Sequence, residues 1–471
     1  MSHMKFNNSY SELPNVFYTK QHPEPVAKPQ LIALNAPLAE MLGIHLSDKT
    51  DKAALFSGNK IPNGADPLAQ LYAGHQFGSF NPQLGDGRAL LLGEVLSPDG
   101  KRFDIQLKGA GRTPYSRRGD GRAALGPVLR EYIVSEAMAA LGVPTTRALA
   151  AVRTGEQVYR ETALPGAILT RVASSHIRVG TFQIFAARGD IDALRMLYEY
   201  TRDRHYPEAE TPIEMLSTVM TRQAELIAHW LSLGFIHGVM NTDNCTLSGE
   251  TIDYGPCAFM DEFHSDRVFS SIDHAGRYAY SSQADVIVWN MAQLATALLP
   301  LMPDRDAAIK ELQALIETMP NMLRSAWLNR FAAKIGISTP EPEDAKLITG
   351  LLGTMQTGQA DFTNAFRGLS DGTARDHFID PHGFDDWHDT WLNRIASEPD
   401  SQTLMQRSNP ARIPRNHRIE EIIQAAMTGD DTPFHRMNEA LRDPFADDPE
   451  FADLAQAPLP NERIAATFCG T

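Results

Sequence analysis

His237-Gly238-Val239-Met240-Asn241-Thr242-Asp243-Asn244, followed after a short interlude by Asp253-Tyr254-Gly255, is the stretch on which the fold turns. It comes directly after a helical pattern over 212–233, and the interlude, Cys245 to Ile252, reads as a short β segment with a turn at Ser248-Gly249. Upstream, Leu125 to Leu141 reads as a helix stopped by Gly142 and Pro144. It carries Glu131 among Val128, Val134, Ser135 and Met138, so a carboxylate projects from a mostly apolar side and needs a partner to offset desolvation. Further upstream, Ala89 to Leu96 reads as a strand and Ser97-Pro98-Asp99-Gly100 as a turn. Phe103, Ile105 and Leu107 then alternate with Asp104, Gln106 and Lys108, which makes a β-hairpin with Lys108 on its polar face. Gly85-Asp86-Gly87-Arg88 is a glycine-containing turn just before it.

Each part alone is weak: a strand lysine can simply be exposed, Glu131 can pair with a nearby Arg, and Asn244 can cap a turn. Their order carries the argument. A glycine turn over phosphates, a strand lysine, a helix glutamate paired with it, then a metal-binding Asn and Asp is the order of parts in protein kinases. On this reading Lys108 is the cation on nucleotide phosphates, and Asn244 and Asp253 are oxygen ligands for Mg²⁺ or Mn²⁺ held jointly with those phosphates. Two departures stand out. The kinase base lies five residues before the metal Asn, and that position is Val239, leaving Asp243 as the carboxylate able to take over. The turn also departs from G-x-G-x-x-G, because Leu90 stands three residues after Gly87, and Arg88 adds a charge.

The 471 residues allow two to four domains, and 43% hydrophobic with 21% charged residues is ordinary globular composition. A net charge of -15 argues against non-specific nucleic-acid binding. Locally the balance inverts: Lys101, Arg102, Lys108, Arg112, Arg117, Arg118, Arg122 and Arg130 face only Asp104 and Asp120, a concentration that focuses potential for an anion. Arg171 and Arg178 add two guanidiniums able to clamp phosphates. Three cysteines, Cys245, Cys257 and Cys469, make no disulfide framework, so a reducing compartment is expected. Met1 to Tyr10 contains no secretory pattern. Val286 to Met302, interrupted by Asn290, Gln293 and Pro300, reads as a buried helix rather than a membrane span.

Helical stretches are expected at Leu31 to Leu42, Ala193 to Asp203, Pro212 to Leu233, Ser282 to Leu301 and Asp304 to Thr318, and the acidic, Pro-rich run from Asp430 to Glu462 as a loosely packed tail.

Together these residues resemble the selenoprotein O family, kinase-fold proteins that act as protein adenylyltransferases. The matching signatures are Tyr72-Ala73-Gly74-His75-Gln76-Phe77-Gly78, Pro82-Gln83-Leu84-Gly85-Asp86-Gly87-Arg88 and Gln106-Leu107-Lys108-Gly109-Ala110-Gly111-Arg112-Thr113-Pro114-Tyr115-Ser116-Arg117. They continue with Gly238 to Asn244, Asp253-Tyr254-Gly255-Pro256 and Asn409-Pro410-Ala411-Arg412-Ile413-Pro414-Arg415-Asn416-His417, so the resemblance spans nearly the whole chain. It implies ATP bound in an orientation flipped relative to kinases, with the α-phosphate toward the acceptor, which would explain the missing kinase base. It further implies that Gly85, Gly87, Arg88, Lys108, Asp120, Gly121, Arg171, Arg178 and Asp253 bind ATP, that Glu131 pairs with Lys108, that Asp243 accepts the proton, and that Asn244 and Asp253 hold the metal. Cys469 stands where many eukaryotic members carry selenocysteine, a redox position. Members with an intramolecular disulfide use a second Cys in the loop after Asp-Tyr-Gly-Pro; 262–276 contains none, and Cys257 is the nearest candidate.

The expected fold is therefore α+β, kinase-like and two-lobed. Residues 1–84 form a wrapping segment, 85–185 a small β-containing lobe with the nucleotide-binding hairpin and the Glu131 helix, 186–429 a mainly helical lobe with the catalytic and metal segment at 237–256, and 430–471 a tail with Cys469. The expected activity is transfer of AMP from ATP to Ser, Thr or Tyr hydroxyls of proteins with release of pyrophosphate, with Mg²⁺ or Mn²⁺, self-modification being open to it. A cytoplasmic monomer without nucleic-acid or membrane partners is expected. The rivals are a kinase transferring the γ-phosphate, an inactive pseudokinase scaffold, a dinucleotide-binding module on Gly119-Asp120-Gly121-Arg122-Ala123-Ala124, and a metal hydrolase on His377, Asp380, His382, Asp385, Asp386, His388 and Asp389. The dinucleotide fingerprint lacks its preceding strand, and the His/Asp cluster matches no zinc spacing, with Trp387 and Trp391 suggesting a helix anchored by aromatic packing.

Overall fold

The computed structural model describes residues 4–468. The first part of the chain supplies strands β1 (Tyr18–Lys20) and β2 (Gln30–Leu34), helices α1 (Ala36–Met41) and α2 (Lys52–Phe56), strand β3 (Leu68–Gln70) and a separate hairpin of β4 (Gly74–Gln76) and β5 (Ser79–Asn81). There follow β6 (Ala89–Leu96), β7 (Arg102–Lys108), β8 (Ala123–Ala124), α3 (Leu125–Ala140), β9 (Arg147–Tyr159) and β10 (Ala163–Ala173). The remainder is mainly helical: α4 (Val179–Arg188), α5 (Ile191–His205), α6 (Pro212–Ser232), a ribbon of β11 (Phe235–Ile236) with β12 (Ala258–Phe259), and α7 (Gln283–Leu298). Helices α8 (Arg305–Lys334), α9 (Asp344–Thr357), α10 (Phe362–Gly368), α11 (His382–Ile395), α12 (Ser401–Ser408), α13 (Asn416–Met427) and α14 (Thr432–Ala440) complete it.

The main sheet runs β1-β3-β6-β7-β10-β9-β2, with β8 added to β10, and its pairs are antiparallel. The alternation in β7 decides its two faces. Ile105 and Leu107 join Leu90, Leu92 and Val95 in one core, closed by Leu38 of α1, Leu42 just after it, and Leu55 and Phe56 of α2. Leu91, Leu169 and Ala151 face the other way onto α3, through Leu129 and Ile133. Burying each such Leu or Ile contributes about 1.5–3 kcal/mol. The polar side of β7 is buried as well: Asp104, Gln106 and Lys108 are 1%, 0% and 8% exposed.

Asp104 and Glu94 meet Arg204 of α5, at 2.6 and 2.5 Å, while Glu94 also accepts from the Tyr10 backbone N–H at 2.6 Å. This buried ion network fastens α5 and the N-terminal segment to the sheet. His176 Nδ1 lies 2.8 Å from Asp104 Oδ2, and burial lowers its pKa to about 4.

Several sequence expectations give way to tertiary pairing. The helix expected from Leu31 starts only at Ala36, because Gln30–Leu34 pairs with β9 and Asn35 caps α1 by accepting from the Leu38 N–H. The β segment expected at 245–252 does not close on itself: Thr246 bridges to Arg178 and Thr251 to Thr145. The helix expected to end near Thr318 continues through Pro320 to Lys334, carried by buried Met319, Leu323, Ala326 and Phe331. The run expected as a loose tail is packed over its first part, since Phe434 and Met437 of α14 are buried and Phe434 meets Tyr132 of α3 edge-on at 5.3 Å, while 456–462 carries no helix or strand and is largely exposed. Near the chain end Thr467 pairs with Ser270 and its hydroxyl donates to Pro256 O at 2.5 Å. Gln283–Leu301 is long and apolar enough to cross a membrane by composition, and half of it is buried within the fold.

Candidate active site

Strand β7 ends at Lys108 opposite Ala89 of β6 and Leu169 of β10, so the lysine leaves the sheet at the floor of a cavity of about 730 Å³. Helix α3 passes behind it, and the need for a partner at Glu131 is met twice: Lys108 Nζ donates to Glu131 Oε2 at 2.6 Å, and Arg171 Nη1 lies 3.3 Å from Oε1. Arg171 projects from β10 in register with Gln106, whose Oε1 accepts from Arg171 Nη2 at 2.5 Å. Arg178 stands at the N-terminal edge of α4, its guanidinium 4.7 Å from the Tyr72 ring centre.

These three cations converge on Asp253. Its Oδ1 accepts from Lys108 at 2.8 Å and from Arg171 at 2.7 Å, and its Oδ2 from Arg178 at 2.7 Å. Burial alone would raise its pKa, but Lys108, Arg171 and Arg178 together hold the carboxyl well below the usual range. The backbone there is left-handed, with φ +61°, a conformation uncommon for a non-glycine residue. Asp86 lies deeper, accepting from Gln106 Nε2 at 3.1 Å and the Tyr72 hydroxyl at 3.3 Å; burial raises its pKa against the pull of Arg178.

Asp243 and Asn244 occupy a 3-10 turn, Thr242–Asn244, that lines the same cavity. The Asp243 backbone carbonyl accepts from Arg178 Nη1 at 2.5 Å, and Asn244 Nδ2 donates to Val239 O at 2.9 Å. Burial pushes the Asp243 carboxyl up to about 6, opposed by Arg178 and by a hydrogen bond from Gln76. A carboxyl so shifted is poised to exchange a proton near neutral pH.

Gly85, Gly87, Arg88, Asp120 and Gly121 also line the cavity. A Cβ on Gly87 would lie 2.9 Å from Tyr115 O, so the backbone there comes close to the Arg-rich loop. Asp120 is held by Arg160 at 2.8 Å and accepts from the Arg122 N–H. The basic run divides: Lys108, Arg112, Arg117, Arg118 and Arg122 line the cavity, whereas Lys101 pairs with Asp99, Arg102 bonds Asn7, and Arg130 pairs with Glu420. Cys257 is buried, and burial pushes its thiol up to about 12, which disfavours the thiolate at neutral pH; Cys469 lies outside the described residues. Trp387 and Trp391 stack at 5.5 Å in α11, and among the described residues no group of three or more His, Cys, Asp or Glu side chains could hold a metal.

Three features escape a reading of residue order. Asp86 and Gln106 form a buried support behind the cavity, Gln106 bonding both Asp86 and Arg171; in the sequence Gln106 stands out only by sharing a strand face with Lys108 and by opening a family signature. The β4–β5 hairpin packs directly on the loop carrying Asp243, although 72–78 stands out in the sequence only as a family signature, with no strand expected there.

An antiparallel sheet and glutamate helix over a helical body, with a lysine–glutamate pair and an Asn/Asp wall around one cavity, define a kinase-like nucleotide-handling protein. A family profile described as protein adenylyltransferase SelO matches residues 1–442. Proteins of Ruegeria sp. (strain TM1040) and Rhodopseudomonas palustris (strain BisB5), each named protein nucleotidyltransferase YdiU, are 60% and 54% identical over 466 and 489 aligned residues, covering 99% and 100% of this chain and 99% of each relative. The chain belongs to the SelO family of protein adenylyltransferases, and its activity class is nucleotidyl transfer with ATP as substrate.

Proposed function

We propose that the protein transfers AMP from ATP to hydroxyl side chains of other proteins, with Asp243 as proton acceptor. The supporting observation is that Asp243, Asn244 and Asp253 line one cavity with Lys108, Arg171 and Arg178, while the position of the kinase base is Val239. The acceptor oxygen bonds to the α-phosphorus, the bond from that phosphorus to pyrophosphate breaks, and the hydroxyl proton passes to Asp243. The three cations stabilise charge on the departing pyrophosphate. The donor set fits a divalent cation: Asn244 offers an amide oxygen and Asp253 two carboxylate oxygens, the hard ligands that Mg²⁺ or Mn²⁺ takes jointly with phosphates. When bound, such an ion would neutralise phosphate charge. Residues Gly85, Gly87, Arg88, Asp120 and Gly121 frame the nucleotide by backbone approach and charge. The proposed setting is the cytoplasm, in keeping with three cysteines in 471 residues.

The test is ATP labelled separately on the α- and γ-phosphates, incubated with the protein, Mg²⁺ or Mn²⁺ and casein. Stable α-label on protein with an added AMP mass is expected. Protein-bound γ-label would make the enzyme a kinase, and ATP binding without either label would leave a scaffold or an acceptor other than casein.

A further inference from the structure

The β4–β5 hairpin stands apart from the main sheet and is laced, residue by residue, to the loop that carries Asp243. The His75 N–H donates to Thr242 Oγ1 at 2.7 Å, Gln76 Nε2 to Asp243 Oδ2 at 3.1 Å, and the Phe77 N–H to Asn241 Oδ1 at 3.1 Å. Three consecutive hairpin residues thus contact three consecutive loop residues. The acceptors are themselves fixed from behind. The Thr242 hydroxyl donates to Gln183 Oε1 at 2.6 Å, Gln183 Nε2 lies 2.9 Å from His75 Nδ1, and the Tyr278 hydroxyl donates to Asn241 Oδ1 at 2.6 Å.

The two outer bonds use the hairpin backbone and hold the hairpin down whatever the side chains are. The middle one uses a side chain and ends on the carboxylate. Both Gln76 and Asp243 line the cavity, and Asp243 Oδ1 is buried with no hydrogen-bond partner. The hairpin backbone comes so close at Gly74 that a Cβ there would lie 2.6 Å from Oδ1. Gly74 therefore fixes how near the carboxylate sits, and Gln76 fixes which way it turns.

We infer that Gln76 is a positioning residue for nucleotidyl transfer, orienting the Asp243 carboxylate through its side-chain amide; this rests on the reading of Asp243 as proton acceptor. An amide suits the task because it donates a hydrogen bond without itself ionising or competing for the proton. Its length is set by the hairpin: the backbone at residue 76 is anchored on both sides, so the amide reaches one place. A general base must hold its oxygen within hydrogen-bond reach of the proton it takes, and small displacements at a reacting centre cost large factors in rate.

The experiment compares Gln76→Met, Gln76→Glu, Asp243→Asn and the double variant Gln76→Met/Asp243→Asn, using α-labelled ATP, Mg²⁺ or Mn²⁺ and casein as the hydroxyl-bearing acceptor. Methionine keeps the length and loses the donor; glutamate keeps the length and sets a second carboxylate against Asp243. The expected result for Gln76→Met is a fall in kcat of about 10- to 100-fold, with KM for ATP, ATP affinity and the melting midpoint unchanged. The double variant should be no slower than Asp243→Asn alone, because two groups acting on one step are not additive. Gln76→Glu should also be slow, and wild-type turnover in either Gln76 variant beside an inactive Asp243→Asn overturns the inference. A loss in Gln76→Met matched by weaker ATP binding or a lower melting midpoint overturns it too, since that is a structural role. Full turnover by Asp243→Asn instead overturns the proton-acceptor reading itself.

Discussion

Lys108 Nζ and Asp253 Oδ1, 145 residues apart in the chain, lie 2.8 Å apart. The cation suited to phosphates is thus bonded to the carboxylate suited to a metal. Arg171 and Arg178 complete the cluster on the same carboxylate. A nucleotide arriving with a divalent ion brings charges of both signs, so Asp253 can turn to the ion as the three cations turn to phosphate, and no buried charge is left alone. Asp253→Asn should therefore lower α-label transfer by at least about 10²-fold. Isothermal titration with ATP, with and without the divalent ion, checks the exchange: the ion should strengthen ATP binding to the wild type much more than to the variant.

Gly74 offers a sharper steric test. Alanine there would bring a Cβ to 2.6 Å from Asp243 Oδ1, and the residue lies in a strand of the anchored hairpin. The carboxylate has to move. Gly74→Ala should slow transfer by about 10²-fold while binding ATP as the wild type does, measured by turnover and by titration.

Arg204 joins two buried carboxylates, Glu94 at 2.5 Å and Asp104 at 2.6 Å. Replacing it removes the close cation from both, leaving Glu94 with Arg102 at 3.7 Å and Asp104 with His176 at 2.8 Å. Arg204→Met should lose about 3–5 kcal/mol of stability, read as a lower urea midpoint, and the loss should be partly relieved in the triple variant Arg204→Met/Glu94→Gln/Asp104→Asn.

Lys334, at the end of α8, is 2% exposed, lies 4.2 Å from the centre of the Phe366 ring, and burial lowers its pKa to about 7. The sign follows. Between the ordinary lysine value of 10.5 and about 7, the unfolded chain is protonated while the folded one is neutral, so stability falls as pH falls through that window and levels off below it. Lys334→Met should be more stable than the wild type by about 1–4 kcal/mol at pH 7, and its melting midpoint should lack the rise that the wild type gains between pH 7 and 10. Melts across that range check both.

The sequence by itself determined the parts and their order: the hairpin ending in Lys108, the helix with Glu131, the Asp243-Asn244 loop and Asp253-Tyr254-Gly255. These were legible because alternation and helical periodicity are local properties, and because a carboxylate on an apolar helix side advertises a missing partner. Tertiary structure alone decided what those parts touch. It made Gln30–Leu34 an edge strand instead of the first turns of a helix, since pairing with β9 satisfies backbone groups that a short apolar run leaves open. It carried α8 through Pro320, because buried side chains on both sides outweigh one lost hydrogen bond. It sorted the basic run into residues lining the cavity and residues paired elsewhere, and it brought a three-residue strand near the start of the chain onto the loop of Asp243. Charge and hydrogen bonding act between groups a few ångströms apart in space, and spacing along the chain records that distance only within a single helix, strand or turn.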